Sequence, residues 1–431
     1  MIVRRPEGRP AGQAAPGTPA REEGRTVDES WAGTTLVPEE EDRSAERMTL
    51  SIGPHHPSTH GVLRVVVELE GETVVRAQPE VGFLHTGIEK HAEHLLWQQA
   101  ITVLDRMDYL SPLSNNLGYV LAVEKLLELE VPERARVVRV ILAELQRIAS
   151  HLVWLGTTAL DLGAQSVYFY AFELREGILD LFEEASGARM NPSYFRIGGL
   201  ARDLPEHWAE MARAFLARFP GRMAELRRLL DRNPIWLDRT RGIGVLSAEQ
   251  AMALGLTGPL LRASGVNYDV RRAFPYCGYE RYDFEVPLGT RGDAYDRYQV
   301  RIREMEESAR IVAQALEELE PGSVMVADRK VALPPKEELR VSMEALIHHF
   351  KLVAHGFEVP AGHVYQAIES PRGELGFYVV SRGGTRPWRV RVRPPSFYNV
   401  QAVPAMAEGH LVADLVTILA TTDPVFGEVD R

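Results

Sequence analysis

PERARVVRVILAELQRIASHL, residues 132–152, decides the fold. Val137, Ile141, Leu145, Ile148 and Leu152 recur at spacings of three and four, which places them on one stripe of an α-helix. Pro132 suits its first turn, where no amide partner is lost. Arg136, Arg139, Glu144 and Arg147 fall between the apolar positions. Working outward, similar patterns predict helices over 168–185, stopped near Gly187, over 206–231, over 296–319, closed by Pro321-Gly322, and over 342–352. Toward the N-terminus the period drops to two. Leu63, Val65, Val67 and Leu69 alternate with Arg64, Val66 and Glu68 as in a half-buried strand, and Gly71-Glu72 turns the chain into a partner at 73–77. Toward the C-terminus Trp388, Val390 and Val392 alternate with Arg389, Arg391 and Arg393, opposite an apolar run at 375–380, with Gly383-Gly384 as the hairpin turn. The class is α+β: a central helical bundle with small sheets or hairpins at both ends.

The expected organisation is a tail at 1–46 and a folded domain at 47–431, with a β-rich start (47–80), a helical core (81–330) and an α+β C-terminal part (331–431). The tail is rich in Pro, Gly, Ala, Arg and Glu and cannot bury enough surface to offset its ordering entropy, so disorder is expected there. The net charge of −11 argues against general affinity for nucleic acid. No run reaches the ~18 apolar residues of a bilayer span, and the nearest, 151–172, is broken by Asp161 and Gln165. An apolar leader segment is also missing, so the expected place is the cytoplasmic side, with any membrane link made through partners. Cys277 is the only cysteine, which excludes an internal disulfide and leaves a cysteine-held cluster without ligands. No phosphate-cradling glycine loop or nucleophile elbow is present, so NAD binding by this chain is not supported.

Five constellations could carry chemistry. Gly53-Pro54-His55-His56-Pro57-Ser58-Thr59-His60-Gly61 holds three histidines in six residues, but no helical spacing, cysteine or carboxylate completes a metal site. A loop histidine used for hydrogen bonding or proton transfer is one reading, and buttressing surface histidines are the other. His91 and His94 could share a helix face beside Glu93, a pattern more often solvated or interfacial than metal-binding. Asp105-Arg106-Met107-Asp108-Tyr109 is a charged cluster that a structural network would explain. Asp161 stands in apolar surroundings and needs a partner, for which a histidine is natural. The charged end Asp423-Pro424-Val425-Phe426-Gly427-Glu428-Val429-Asp430-Arg431 has the composition of a docking tail.

Taken together, GPHHPSTHGVLR, GFLHTGIEK, RMDYL, ASHLVWLGTTALDLGA, RIGGL, LRASGVNYDVR, PYCGYE, VPLGTRGDAYDRY, ESPRGELGFYVVS, RPPSFYN and DPVFGEVDR resemble the D subunit of bacterial NADH–quinone oxidoreductase, respiratory complex I. The resemblance runs from about Met48 to Arg431. That family is related to the large subunit of nickel–iron hydrogenases, which implies a hydrogenase-like fold. Val425 and Glu428 stand where the second cysteine pair of a hydrogenase would be, so no nickel site can be built.

What the resemblance implies is a quinone chamber in the vacated metal cavity, beside the terminal iron–sulfur cluster of a neighbouring chain. It carries over His60 and Tyr109 as the donors to the quinone headgroup, Asp161 as the partner of that histidine, and Arg106 as the arginine near the neighbouring cluster. The substrate is ubiquinone or menaquinone. This chain binds no metal or flavin, and FMN and the iron–sulfur clusters belong to partners. Those partners are the B subunit, which carries the terminal cluster, the C subunit, and the membrane-arm component of the quinone channel. The chain is thus a peripheral membrane component of a proton-translocating enzyme, inactive alone.

Quinone reduction is expected to draw protons from Tyr109 and His60 and to leave Asp161 as an unpaired negative charge. One departure stands out: many relatives have a histidine where Asn191 stands, and asparagine cannot take up a proton. The terminal cluster's potential is therefore expected to depend less on pH here. Two alternatives fit the same residues: a related complex fed by ferredoxin or a reduced deazaflavin, and a non-catalytic scaffold.

Overall fold

The computed structural model describes residues 35–38, 47–54 and 61–431. Four antiparallel strands, β1 (Thr35–Pro38), β2 (Arg47–Ile52), β3 (Arg64–Glu70) and β4 (Thr73–Glu80), lie side by side in that order. The two-residue period is realised: Leu63, Val65, Val67 and Leu69 are buried, and Glu70 pairs with Thr73 across the Gly71-Glu72 turn. β1 lies within the stretch expected to have no structure. It pairs with β2, Leu36 opposite Leu50, so the expectation of a tail through 46 needs that exception. The buried residues of β3 and β4 share one core with Val403, Met406, Ile418 and Leu419 near the other end of the chain.

Five helices follow: α1 (Ile88–His94), α2 (Ala100–Leu104), α3 (Pro112–Leu126), α4 (Glu133–Asp161) and α5 (Gln165–Ser186). At 29 residues α4 is about 43 Å long. Its apolar stripe is buried as expected, but Arg139, Glu144, Arg147 and His151 are buried as well. Over residues 137–152 the helix is enclosed, so Arg139, Glu144, Arg147 and His151 face protein rather than water and each is paired, whereas Arg136 nearer its start is exposed. Arg139 grips Glu124 of α3 at 2.7 and 2.9 Å, and Glu124 also accepts from the Gly198 amide at 2.7 Å.

Next come the short hairpin β5 (Phe195–Arg196) and β6 (Gly199–Leu200), then α6 (Trp208–Leu230), α7 (Pro234–Thr240), α8 (Ala248–Ala253), α9 (Gly258–Ala263), α10 (Val270–Ala273), α11 (Ala294–Glu317) and α12 (Met343–Ala354). α4, α5, α6 and α11 form the bundle. The C-terminal part is larger than the expected hairpin. An additional strand, β7 (Gly362–Ser370), pairs along the full length of β8 (Gly373–Ser381), which pairs in turn with β9 (Arg389–Arg393). Val390 and Val392 point inward as expected, opposite Val379 and Phe377. Trp388 precedes the strand and is exposed under the Arg382 guanidinium.

The chain ends in α13 (Pro395–Gln401), α14 (Val403–Ala407), α15 (Val412–Thr422) and α16 (Phe426–Asp430). The expected docking tail is instead interior, with residues 423–430 all buried. Asp430 accepts from the Gly82 and Leu84 amides at 2.8 and 2.6 Å, and His85 Nδ1 donates to its carbonyl at 2.7 Å. The architecture is α+β with small antiparallel sheets near both ends of the chain.

Candidate functional site around Tyr109

Tyr109 follows α2 in the segment Asp105-Arg106-Met107-Asp108-Tyr109. The segment is pinned from both sides. Asn115 of α3 donates to the Asp108 carbonyl at 3.1 Å, and the Leu110 amide donates to Asp108 Oδ1 at 3.1 Å. From the other side α16 presses on it at Gly427. A Cβ on Gly427 would lie 2.5 Å from the Met107 carbonyl oxygen, so only glycine allows this approach. The C-terminal helix thereby becomes a wall of the Tyr109 region.

Arg372, in the turn between β7 and β8, is the hub. It is fully buried and donates to Asp108 Oδ2 at 2.9 Å, Ser150 Oγ at 2.7 Å and Asp423 Oδ1 at 3.4 Å. Four elements distant in sequence are tied at one guanidinium. Burial pushes the Tyr109 phenol above its ordinary range, helped by the charges of Asp108 and Asp423 and opposed by Arg372. At neutral pH the phenol is therefore a donor that holds its proton. Burial also pushes the Asp108 carboxyl up, with Arg372 opposing.

Behind this hub lies a second buried network. Glu304 of α11 accepts from His151 Nε2 at 2.9 Å and from Arg262 at 2.7 Å, and Arg262 also holds Glu369 at 2.7 Å. Burial lowers the His151 pKa to about 4, against the pull of Glu304, so this histidine is neutral at physiological pH. Glu144 accepts from Arg147, Arg271, Tyr279 and Ser308. Burial opposes its charge, but these donors prevail and bring its carboxyl down to about 2.

The expected site residues fall as follows. His60, with His55 and His56, lies outside the described residues. On either side of these residues, Ile52 of β2 pairs with Val65 of β3. Asp161 is the last residue of α4 and is half-buried. Tyr109 and Asp161 thus come from different places in the chain, the segment between α2 and α3 and the end of α4. Arg106 is exposed and donates to the Thr102 carbonyl. Asn191 is exposed in a loop whose Ser193 hydroxyl donates to buried Asp105. Burial pushes the Asp105 carboxyl up to about 6, against Ser193, Asn116, Arg106 and Arg196.

His91 and His94 lie exposed on α1, where Glu93 pairs with Lys90 and Arg389. Burial pushes the Cys277 thiol up to about 11, so it is not a reactive thiolate. Among the described residues no group of three or more His, Cys, Asp or Glu is placed to hold a metal. A cleft of about 790 Å³ opens elsewhere, between α6 and α11, lined in part by Phe219, Arg227, Arg228 and Arg310.

Residue spacing did not single out Arg372, Asp423 and Glu428 as a unit with Asp108. The available signal was their presence in the short segments ESPRGELGFYVVS and DPVFGEVDR; nothing local showed that these segments meet.

Residues 161–431 match the family model of the 49 kDa subunit of respiratory-chain NADH dehydrogenase. The chain belongs to that family. It is 62% identical over 395 residues to the NADH-quinone oxidoreductase D 1 subunit of Symbiobacterium thermophilum, covering 91% of this chain and 98% of the relative. It is also 62% identical to the D 2 subunit of Chloroflexus aurantiacus, over 90% of this chain and 95% of that one. Identity to the D subunit of Geotalea uraniireducens is 55%, over 90% of this chain and all of that relative. The family is that of the D subunit of complex I, so the chain is part of an oxidoreductase complex. No helix among the described residues is long and apolar enough to cross a membrane.

Proposed function

We propose that this chain supplies the quinone-reduction chamber of a proton-translocating NADH–quinone oxidoreductase, with Tyr109 as a donor to the quinone headgroup. The observation that carries the reading is Tyr109 itself. It is a half-buried phenol kept protonated by its surroundings, at the edge of a rigid ionic hub, in a chain of this family. A quinone that takes two electrons becomes strongly basic at both oxygens, and positioned donors stabilise that charge as it develops. Tyr109 donates to one oxygen and gives up its proton as the oxygen becomes more basic than the phenolate.

His60 serves the second oxygen, and Asp161 favours the charged form of that histidine. The net step is quinone plus two electrons plus two protons to quinol, with the electrons arriving from an iron–sulfur cluster of a neighbouring chain. Release of the His60 proton removes the positive charge facing Asp161, and that change in local charge is the signal toward the membrane arm. Arg106 is exposed, as a residue facing that neighbour would be. The hydrogenase-like ancestry fits a C-terminus in which buried Val425 and Glu428 occupy positions of lost cysteine ligands.

Photo-crosslinking tests the placement. A short-chain quinone carrying a photoreactive headgroup should label the Tyr109–Leu110 peptide of the assembled complex, and excess unmodified quinone should suppress the labelling. Labelling confined to other chains of the complex would overturn the assignment.

A further inference from the structure

Three carboxyl groups crowd the Arg372 guanidinium where α16 packs on the Tyr109 segment. Asp108 and Asp423 bond to it directly, at 2.9 and 3.4 Å. Glu428 does not. It is fully buried on α16, its Oε2 accepts from the amide and hydroxyl of Ser396, and its Oε1 has no hydrogen-bond partner among the described residues. The other charges facing the cluster are Arg301 of α11, which acts on Asp423 but also on Glu304, and Arg431, which acts on Glu428 but is held by Glu89 of α1 at 3.5 Å.

Arg372 thus pairs with two of the three carboxyls, and Arg301 and Arg431 are each shared with a glutamate outside the cluster. A buried carboxylate oxygen without a donor carries its full desolvation cost, and close like charges cannot all ionise. One carboxyl must stay protonated, and Glu428 is the one with no ion-pair contact. Burial and the Asp108 charge push it up to about 8, against Ser396 and Arg372.

We propose that Glu428 is a proton store for the pocket, returning a proton through the carboxyl cluster around Arg372 to Tyr109 after the phenol has protonated the reduced quinone. This rests on the reading of Tyr109 as the headgroup donor and extends it to the proton's source. The step moves one proton and no electrons: Glu428 carboxylic acid and Tyr109 phenolate become carboxylate and phenol. It runs downhill because the phenol is the weaker acid. Solvent refills Glu428 between turnovers, and above its titration the store is empty.

The test is NADH-driven quinone reduction by the assembled membrane complex across neutral and alkaline pH, with NADH–ferricyanide activity as the assembly control. Wild type should lose quinone turnover on an alkaline limb near pH 8. Glu428→Gln keeps the shape but has no proton to give. It should lose about a hundredfold in rate at neutral pH, the scale of general acid catalysis, and show no limb. Ser396→Ala removes a donor to the charged form and should move the limb to higher pH.

A Glu428→Gln enzyme with the wild-type rate and limb overturns the proposal, and so does a lowered rate with the limb unchanged. Should Glu428→Gln fail to assemble, an unmoved limb in Ser396→Ala overturns it. Tyr109→Phe keeps the two readings apart. If its quinone turnover is normal, the headgroup assignment fails. If its turnover collapses while Glu428→Gln behaves as wild type, only the store fails.

Discussion

Arg372 carries more of the site than any other single side chain, because Asp108 and Asp423 both depend on it inside the protein. Removing one partner of a buried ion pair costs about 3–5 kcal/mol, since the remaining charge stays desolvated. Arg372→Met is therefore expected to lower the amount of assembled protein sharply, as read by immunoblot of the purified complex. Arg372→Lys keeps the charge but cannot form the three-way fork, and should assemble with impaired quinone turnover. Assembly of Arg372→Met at wild-type levels with full activity would show that the hub is dispensable.

A second residue-scale expectation concerns Asn191. Asn191→His introduces a group that titrates near neutrality, so the neighbouring cluster's potential should gain pH dependence in a redox titration. Asp105, pushed up to about 6 by burial, lies beneath the same loop. A full proton-coupled slope in the parent, unchanged by the substitution, would contradict this.

At the scale of elements, α16 matters because it touches the Tyr109 segment through a glycine. Alanine normally stabilises a helix relative to glycine. At Gly427, however, the added Cβ would sit 2.5 Å from the Met107 carbonyl and 3.0 Å from that of Arg106. The helix must shift, at about 1–3 kcal/mol for overpacking. Gly427→Ala should reduce quinone turnover while NADH–ferricyanide activity stays normal, and equal loss of both activities would point to failed assembly instead.

Elements are also where the sequence was most and least legible. β3 and the stripe of α4 could be read because each pattern is local and its partners lie on one face. β7 was not anticipated, since Gly362–Ser370 mixes buried and half-buried positions on both faces. The interior charges of α4 were not anticipated either. Arg147 is satisfied by the Glu369 and Ser370 carbonyls, more than two hundred residues away in sequence. The terminal segment looked like a tail because its charges are matched by groups distant in sequence: Asp423 by Arg372, Glu428 by Ser396 and Asp430 by the Gly82 and Leu84 amides. His60, Tyr109 and Asp161 were reached by resemblance, and spacing alone would not have joined them.

Across the whole molecule, opposed titrations bound the pH range of stability. His151 falls from 6.5 to about 4, so the unfolded chain binds its proton first and stability drains as pH falls through that interval. Glu144, lowered from 4.5 to about 2, adds a further loss below 4.5. Glu428 works in the other direction. Raised from 4.5 to about 8, it contributes stability that is complete below 4.5 and is lost as pH rises through 8. Thermal unfolding of this chain within the complex should therefore peak between these limits, and Glu428→Gln should flatten the alkaline side. A profile unchanged by that substitution would show that Glu428 does not titrate there. On the proposed function, electrons leave the complex for quinone beside Tyr109. The most direct measurement compares NADH–quinone and NADH–ferricyanide activities of membranes carrying wild-type or Tyr109→Phe enzyme. Tyr109→Phe should lose the quinone activity alone, and wild-type quinone turnover in that variant would remove Tyr109 from the reduction site.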